Sequence, residues 1–135
     1  MSYKIDEIEG IGPSYAAKLA EAKIETTDDL LRHCGDPKGR KAVSEKTSVS
    51  ESHLLKWANM ADLMRVSGVG RQYAELLEAA GVDTIKELRT RNAENLAVKM
   101  AAVNKEKKLA KTSPAQSVVE GWVMQAKQTD PMISY

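Results

Sequence analysis

A sixteen-residue pattern that occurs twice, fifty-eight residues apart, constrains this chain more than any other feature. The first copy runs Ile8-Glu9-Gly10-Ile11-Gly12-Pro13-Ser14-Tyr15-Ala16-Ala17-Lys18-Leu19-Ala20-Glu21-Ala22-Lys23, and the second runs from Val66 to Gly81. Gly10, Gly12, Tyr15, Ala16, Leu19 and Ala22 fall on Gly68, Gly70, Tyr73, Ala74, Leu77 and Ala80. Two glycines around one apolar residue allow a tight turn with positive φ, with the apolar side chain anchored in the core. Helical spacing follows each turn, so each copy reads as a Gly-apolar-Gly turn opening a helix. The first turn of such a helix carries unpaired N–H groups at the positive end of its dipole, an arrangement suited to anions.

The duplication extends beyond the turns. Thr26-x-x-Asp29 and Thr84-x-x-Glu87 are capping-box-like starts in the same register, with Gly35-Asp36-Pro37 stopping the first of these helices. A further helix is expected from Lys38 to Lys46, then one started by Ser48-x-x-Glu51 that carries Leu54, Trp57, Ala58 and Ala61 on one face. In the second copy Asn92 caps a helix running through Leu96 and Met100 to Val103, and Ser113-Pro114-Ala115-Gln116 starts the last one. There Val119, Trp122, Val123 and Ala126 match Leu54, Trp57, Ala58 and Ala61 at an offset of sixty-five. The rise from fifty-eight to sixty-five places seven extra residues in the second copy, and the basic segment Lys105 to Lys111 is the natural place for them.

Helical spacing and caps fill almost every segment, so the expected fold is all-α. In 135 residues neither copy is large enough to enclose a core alone, which points to one domain over residues 1–135 with its halves packed around a pseudo-twofold axis. Repeat one covers 1–65, repeat two 66–129 and a short tail 130–135, of which Met132 to Tyr135 is expected to lie extended against Tyr3 to Ile5.

Little else in the chain offers chemistry. Cys34 is the only cysteine, which excludes an internal disulfide, and with His33 and His53 it gives too few ligands for a zinc site of Cys and His alone. His33 and Cys34 are adjacent and do not face each other on a helix, and no Gly-x-x-x-x-Gly-Lys loop is present, so neither catalysis nor a cofactor or metal is expected. No run approaches the roughly 20 apolar residues of a membrane span, and a cytoplasmic location is the expectation. The net charge of +1 argues against a protein that coats nucleic acid by charge alone. Trp57 and Trp122, with Tyr15 and Tyr73, occupy matching places and read as twin core anchors.

Over Gly10 to Leu19 and Gly68 to Leu77 the sequence resembles the helix-hairpin-helix motif of DNA repair and replication proteins. Over the whole chain it resembles a microbial family of paired helix-hairpin-helix units known only as a domain of unknown function. The resemblance implies that Gly68, Val69, Gly70 and Arg71, and in the first copy Gly10, Ile11 and Gly12, hold a phosphate through backbone N–H groups. Contacts of that kind carry little sequence preference. Asp6, Glu7 and Glu9 oppose an anion at the first turn, where Pro13 also removes a donor. The second turn has no acid from Val66 to Tyr73 and has Arg71 in the first helical turn, so the phosphate site is expected there, with the first turn mainly structural. Lys107, Lys108 and Lys111 are the expected accessory cations, and Lys38-Gly39-Arg40-Lys41 reads as solvated surface or as part of a basic rim. The expected function is weak, sequence-independent binding of a nucleic-acid backbone such as DNA without enzymatic activity. The alternative is an adaptor that offers the same helical scaffold to another protein.

Overall fold

The computed structural model describes residues 2–135 and is all-helical, with eight helices and a single 3-10 turn at Ile5–Glu7 among the described residues. The helices are α1 (Pro13–Glu21), α2 (Thr27–Cys34), α3 (Pro37–Thr47), α4 (Glu51–Leu63), α5 (Arg71–Ala79), α6 (Ile85–Leu88), α7 (Ala93–Lys107) and α8 (Gln116–Lys127). Helix α2 packs on α3 and α4, α5 on α7, α8 on both α6 and α7, and α4 meets α5. Their apolar faces form one continuous cluster, from Ile8, Leu19, Ile24, Leu30 and Leu54 to Leu76, Leu77, Ile85, Leu88 and Met100. No helix among the described residues is long and apolar enough to cross a membrane.

The two turns are built alike. Gly10 and Gly68 have φ of +97° and +91°, and the N–H groups of Ile11 and Val69 each donate to a carbonyl three residues back, Ile8 and Val66, at 3.1 Å. Ile11 and Val69 are buried as anchors. Over each positive-φ glycine lies an indole: a Cβ added at Gly10 would stand 3.3 Å from Trp57 Nε1, and one added at Gly68 would stand 3.3 Å from Trp122 Nε1. Both tryptophans are only 2% exposed, and each packs against a tyrosine, Tyr15 with Trp57 at 4.9 Å between ring centroids and Tyr73 with Trp122 at 5.2 Å. Aromatic pairs at such separations favour tilted or edge-on geometry. Here a long-range contact fixes a local turn.

Helices α1 and α5 also stop alike. Lys23 and Gly81 take left-handed conformations, and the N–H groups of Ile24 and Val82 reach back to the carbonyls of Leu19 and Leu77 at 3.0 and 2.9 Å. Thr26 and Thr84 then cap α2 and α6, accepting from the N–H groups of Asp29 and Glu87. Asp29 answers with its own carboxylate on the Thr26 N–H, completing the capping box. The Asp29 carboxyl is held below its ordinary pKa, chiefly by the Glu25 N–H that it also accepts.

Several expectations about helix ends and the tail are corrected. Helix α4 is capped by Ser50, whose Oγ accepts from the His53 N–H, while Ser48 is the left-handed residue that ends α3 at φ +66°. Two serines of equal capping power stand there, and the backbone conformation after α3 decides between them. Likewise α8 begins at Gln116 behind Ala115, and Ser113 is turned towards Asn104 Nδ2 at 3.3 Å. Helix α7 runs past Val103 to Lys107, so Lys105 and Lys107 are helical rather than part of a separate basic stretch. It has fifteen residues where α3 has eleven, and the segment after it, from Lys108 to Ala115, is longer than Ser48 to Ser50 after α3. The extra length is thus divided between a helix and a linker.

The C-terminal tail does not pair with the N-terminal segment. Lys4 forms an isolated antiparallel bridge with Thr26, and Tyr3 C=O accepts from the Thr27 N–H at 2.9 Å, so that edge is already taken. The tail crosses to the α2–α3 corner, where the Ser134 N–H donates to Gly35 C=O at 2.8 Å. Arg40 supplies the reason: it is 4% exposed and donates to Cys34 C=O at 3.0 Å and Ser134 C=O at 2.7 Å. A cation at the end of α2 answers that helix's dipole, and its second nitrogen takes hold of the tail. Arg40 is therefore a buried strut and no part of a basic rim.

The turn geometry sets a sharp contrast among glycines. Alanine at Gly10 or Gly68 is expected to cost roughly 1–3 kcal/mol of stability, through both the positive φ and the indole. Gly12 and Gly70 have φ of −90° and −98° and open space where a Cβ would stand, so alanine there should cost under about 1 kcal/mol, the scale of a weakened N-cap. Urea unfolding of the four variants checks the contrast.

Candidate functional site

The second turn presents backbone donors without acceptors. Gly70 caps α5 with no side-chain bond, and the N–H groups of Gly70, Arg71, Gln72 and Tyr73 donate to no group among the described residues. The first N–H groups of any helix lack internal partners, so these remain free for solvent or a ligand. Nothing lies within 4 Å of the place where a Cβ on Gly70 would stand, which leaves its backbone open to close approach. Gly68 is exposed, whereas the N–H groups of Val69 and of its counterpart Ile11, both expected to hold a phosphate, are already given to the Val66 and Ile8 carbonyls within the turns. From α8, Gln125 Oε1 accepts the Ser67 N–H at 3.0 Å and braces the start of the turn.

The first turn has the same backbone but a poorer donor set. Gly10 and Gly12 are exposed and Ile11 is buried, but Pro13 occupies the first helical position and offers no N–H.

Two tertiary features distinguish the second turn. Residues after α7 fold back onto the first turn of α5: the Lys111 N–H donates to Gln72 Oε1 at 3.3 Å, and Tyr73 Oη lies 3.4 Å from Thr112 Oγ1. The Lys111 backbone is thereby tied to the Gln72 side chain and the Lys111 side chain is exposed, as is Lys108 at the left-handed end of α7. Asn104 supports this loop, accepting from the Ala110 N–H at 2.9 Å and donating to Ala110 C=O at 3.1 Å.

The other feature works against an anion. Arg71 Nε donates to Glu9 Oε2 at 2.6 Å, so the acid before the first turn pairs with the arginine after the second. Beside this pair an open cleft of about 310 Å³ is lined by Glu9, Gly10, Lys56, Met60, Glu75, Glu78, Ala79, Lys107 and Leu109. Lys107 therefore faces a cleft shared with three carboxylates, apart from Lys111. Desolvation raises the Glu75 pKa above the ordinary carboxylate value, reinforced by the negative charges of Glu9 and Glu78, with Lys56 and Arg71 opposing. Glu78 is raised by the same desolvation, opposed by Lys56, which stands 4.0 Å away, and reinforced by Asp83.

Sequence reasoning named Gly68, Val69, Gly70 and Arg71 with Lys107, Lys108 and Lys111, but it did not foresee the Glu9–Arg71 contact or the roles of Gln72 and Gln125. Glu9 and Arg71 are sixty-two positions apart, and only the packing of the two turns brings them together. Cys34 lies outside the site, fully buried, its thiol pushed up to about 11 by burial.

An all-helical protein with two alike Gly-apolar-Gly turns, joined by the Glu9–Arg71 ion pair, is the class that these observations define. The chain belongs to the DUF4332 family, described as a domain of unknown function, which matches residues 9–129. That span opens at Glu9, takes in both turns and stops at the end of α8, leaving out the tail from Asp130 onward. No curated protein and no solved structure matches the chain.

The raised Glu75 gives a pH prediction. A carboxyl whose folded pKa lies above its unfolded one binds its proton more tightly in the fold. Stability is thus greatest below the unfolded value and declines as pH rises through the ordinary carboxylate value to the raised one. Replacing Glu75 by glutamine should raise Tm at neutral pH and leave it nearly unchanged below about pH 4. Thermal melts of the wild type and Glu75→Gln across that range check both limits.

Proposed function

We propose that the protein is a non-enzymatic helix-hairpin-helix module that binds nucleic-acid backbone weakly and without sequence preference through its second hairpin. The observation that supports this reading is the set of N–H groups at Gly70 to Tyr73 without a partner among the described residues, next to which the α7–α8 linker is held through the Lys111 N–H and the Gln72 side chain. Donors at a helix start and a neighbouring lysine are the two elements a phosphate requires. One hairpin then binds and the other serves as support, since the first turn combines Glu9 with a proline in place of a donor.

In the same reading, residues 1–65 and 66–129 are two copies of one unit, packed about a pseudo-twofold axis as a single domain. In its support stand the matched left-handed residues Lys23 and Gly81, the matched caps Thr26 and Thr84, and the indoles over Gly10 and Gly68. A second reading, an adaptor for another protein, draws on Val98 of α7 and Met124 of α8, large apolar side chains that are 66% and 56% exposed. Neither side chain belongs to the second turn, although α8 also braces that turn through Trp122 and Gln125.

Backbone binding through a few phosphates should weaken steeply as salt rises, because each contact releases counterions. Titrating labelled double-stranded DNA with the protein at low and moderate salt is expected to show such binding. Arg71→Glu and Lys111→Glu should each weaken it about tenfold or more, while Pro13→Ala leaves it within about twofold. Equal loss from substitutions at both hairpins contradicts the single site. No binding at any salt turns the assignment to the adaptor.

A further inference from the structure

We infer that Glu9 is a built-in competitor for the phosphate at the second hairpin, so that the first hairpin holds the second in a self-inhibited state. This rests on the preceding reading and adds its regulation. The Glu9 carboxylate sits 2.6 Å from Arg71 Nε, where an anion on the Gly70 to Gln72 amides would meet the same side chain. A carboxylate and a phosphate oxygen make the same charge-assisted bond to a guanidinium, so they exclude each other at one nitrogen.

The surroundings fit a contact that is held but exchangeable. Arg71 and Glu9 have side chains 46% and 47% exposed, so water and salt reach the pair and its strength stays modest. Glu75, one helical turn after Arg71, is a second negative charge felt at the same place, and Glu78, Lys56 and Lys107 complete the charges lining the cleft. A phosphate backbone can displace Glu9 because it arrives with Lys111 as an additional partner, which a lone carboxylate in the protein lacks. Glu9 thereby biases the site towards polyanions over single small anions, since only several phosphates together gain enough contacts to replace it.

The test compares wild type, Glu9→Gln, Arg71→Gln, the double variant Glu9→Gln/Arg71→Gln and Glu45→Gln on one double-stranded DNA oligonucleotide over a salt series. Glu45 is exposed on α3 and serves as the control for removing any negative charge. Glu9→Gln should bind roughly three- to tenfold more tightly at low salt. Its plot of log affinity against log salt should be steeper by about one, the release of one further counterion. The gain should vanish in the double variant, which then matches Arg71→Gln, while Glu45→Gln stays within about twofold of wild type. A gain no larger than that of Glu45→Gln, or one that survives loss of Arg71, overturns the competitor. Salt-sensitive binding by wild type that Arg71→Gln weakens leaves the binding reading standing in that case. Absence of binding by both wild type and Glu9→Gln at the lowest salt overturns the two together. Circular dichroism of each variant confirms that the fold is retained.

Discussion

An indole laid across a left-handed glycine is the contact on which the rest of this structure depends. At Gly10 and Gly68 the backbone can take φ near +90° and admit the edge of Trp57 or Trp122 only because no Cβ stands there. The contact ties each turn to a helix that follows it by some forty residues or more, α4 in one case and α8 in the other. With Ile11 and Val69 buried beneath, the turn is fixed from both sides, and its outward-facing N–H groups are held in place without a partner. Rigidity of this kind matters for backbone recognition, since donors that are already aimed lose little freedom on binding.

What separates the two turns is chain length and charge rather than backbone. Four additional residues in α7 and a longer linker carry Lys111 and Thr112 onto α5, where Gln72 and Tyr73 receive them. At α1 the ring of Tyr15 instead meets His53 of α4, with ring centroids 5.7 Å apart. The turns are nonetheless coupled, because Glu9 of one is the ionic partner of Arg71 of the other. An acid that disfavours an anion at its own turn extends that influence to the next.

The parts of the fold legible in the sequence were those set by local rules. The Gly-apolar-Gly turns, the Thr26 and Thr84 caps and the burial of both tryptophans follow from spacing and residue type, and each is present as read. Local rules failed where two residues of equal merit compete, as Ser48 and Ser50 do for the cap of α4. They failed again where burial reverses a residue's usual habit: Arg40 in a basic run reads as solvated, but it is enclosed because the end of α2 and the tail both offer it carbonyls. In the candidate site, the turn residues were visible in the sequence and their electrostatic setting was not. That setting comes from Glu9, Gln72 and Gln125, which meet their partners only after the two turns and the α7–α8 linker have packed.

The most direct test of the central claim, that the braced second turn offers its backbone to a phosphate, is to follow backbone amide resonances of isotope-labelled protein as a short double-stranded DNA is added at low salt. The account predicts that the signals of Gly68, Gly70, Arg71, Gln72 and Lys111 move together and saturate, with those of Gly12 and Ser14 moving far less. Shifts confined to the exposed side of α7 and α8 around Val98 and Met124, with Gly70 to Gln72 unmoved, would contradict it.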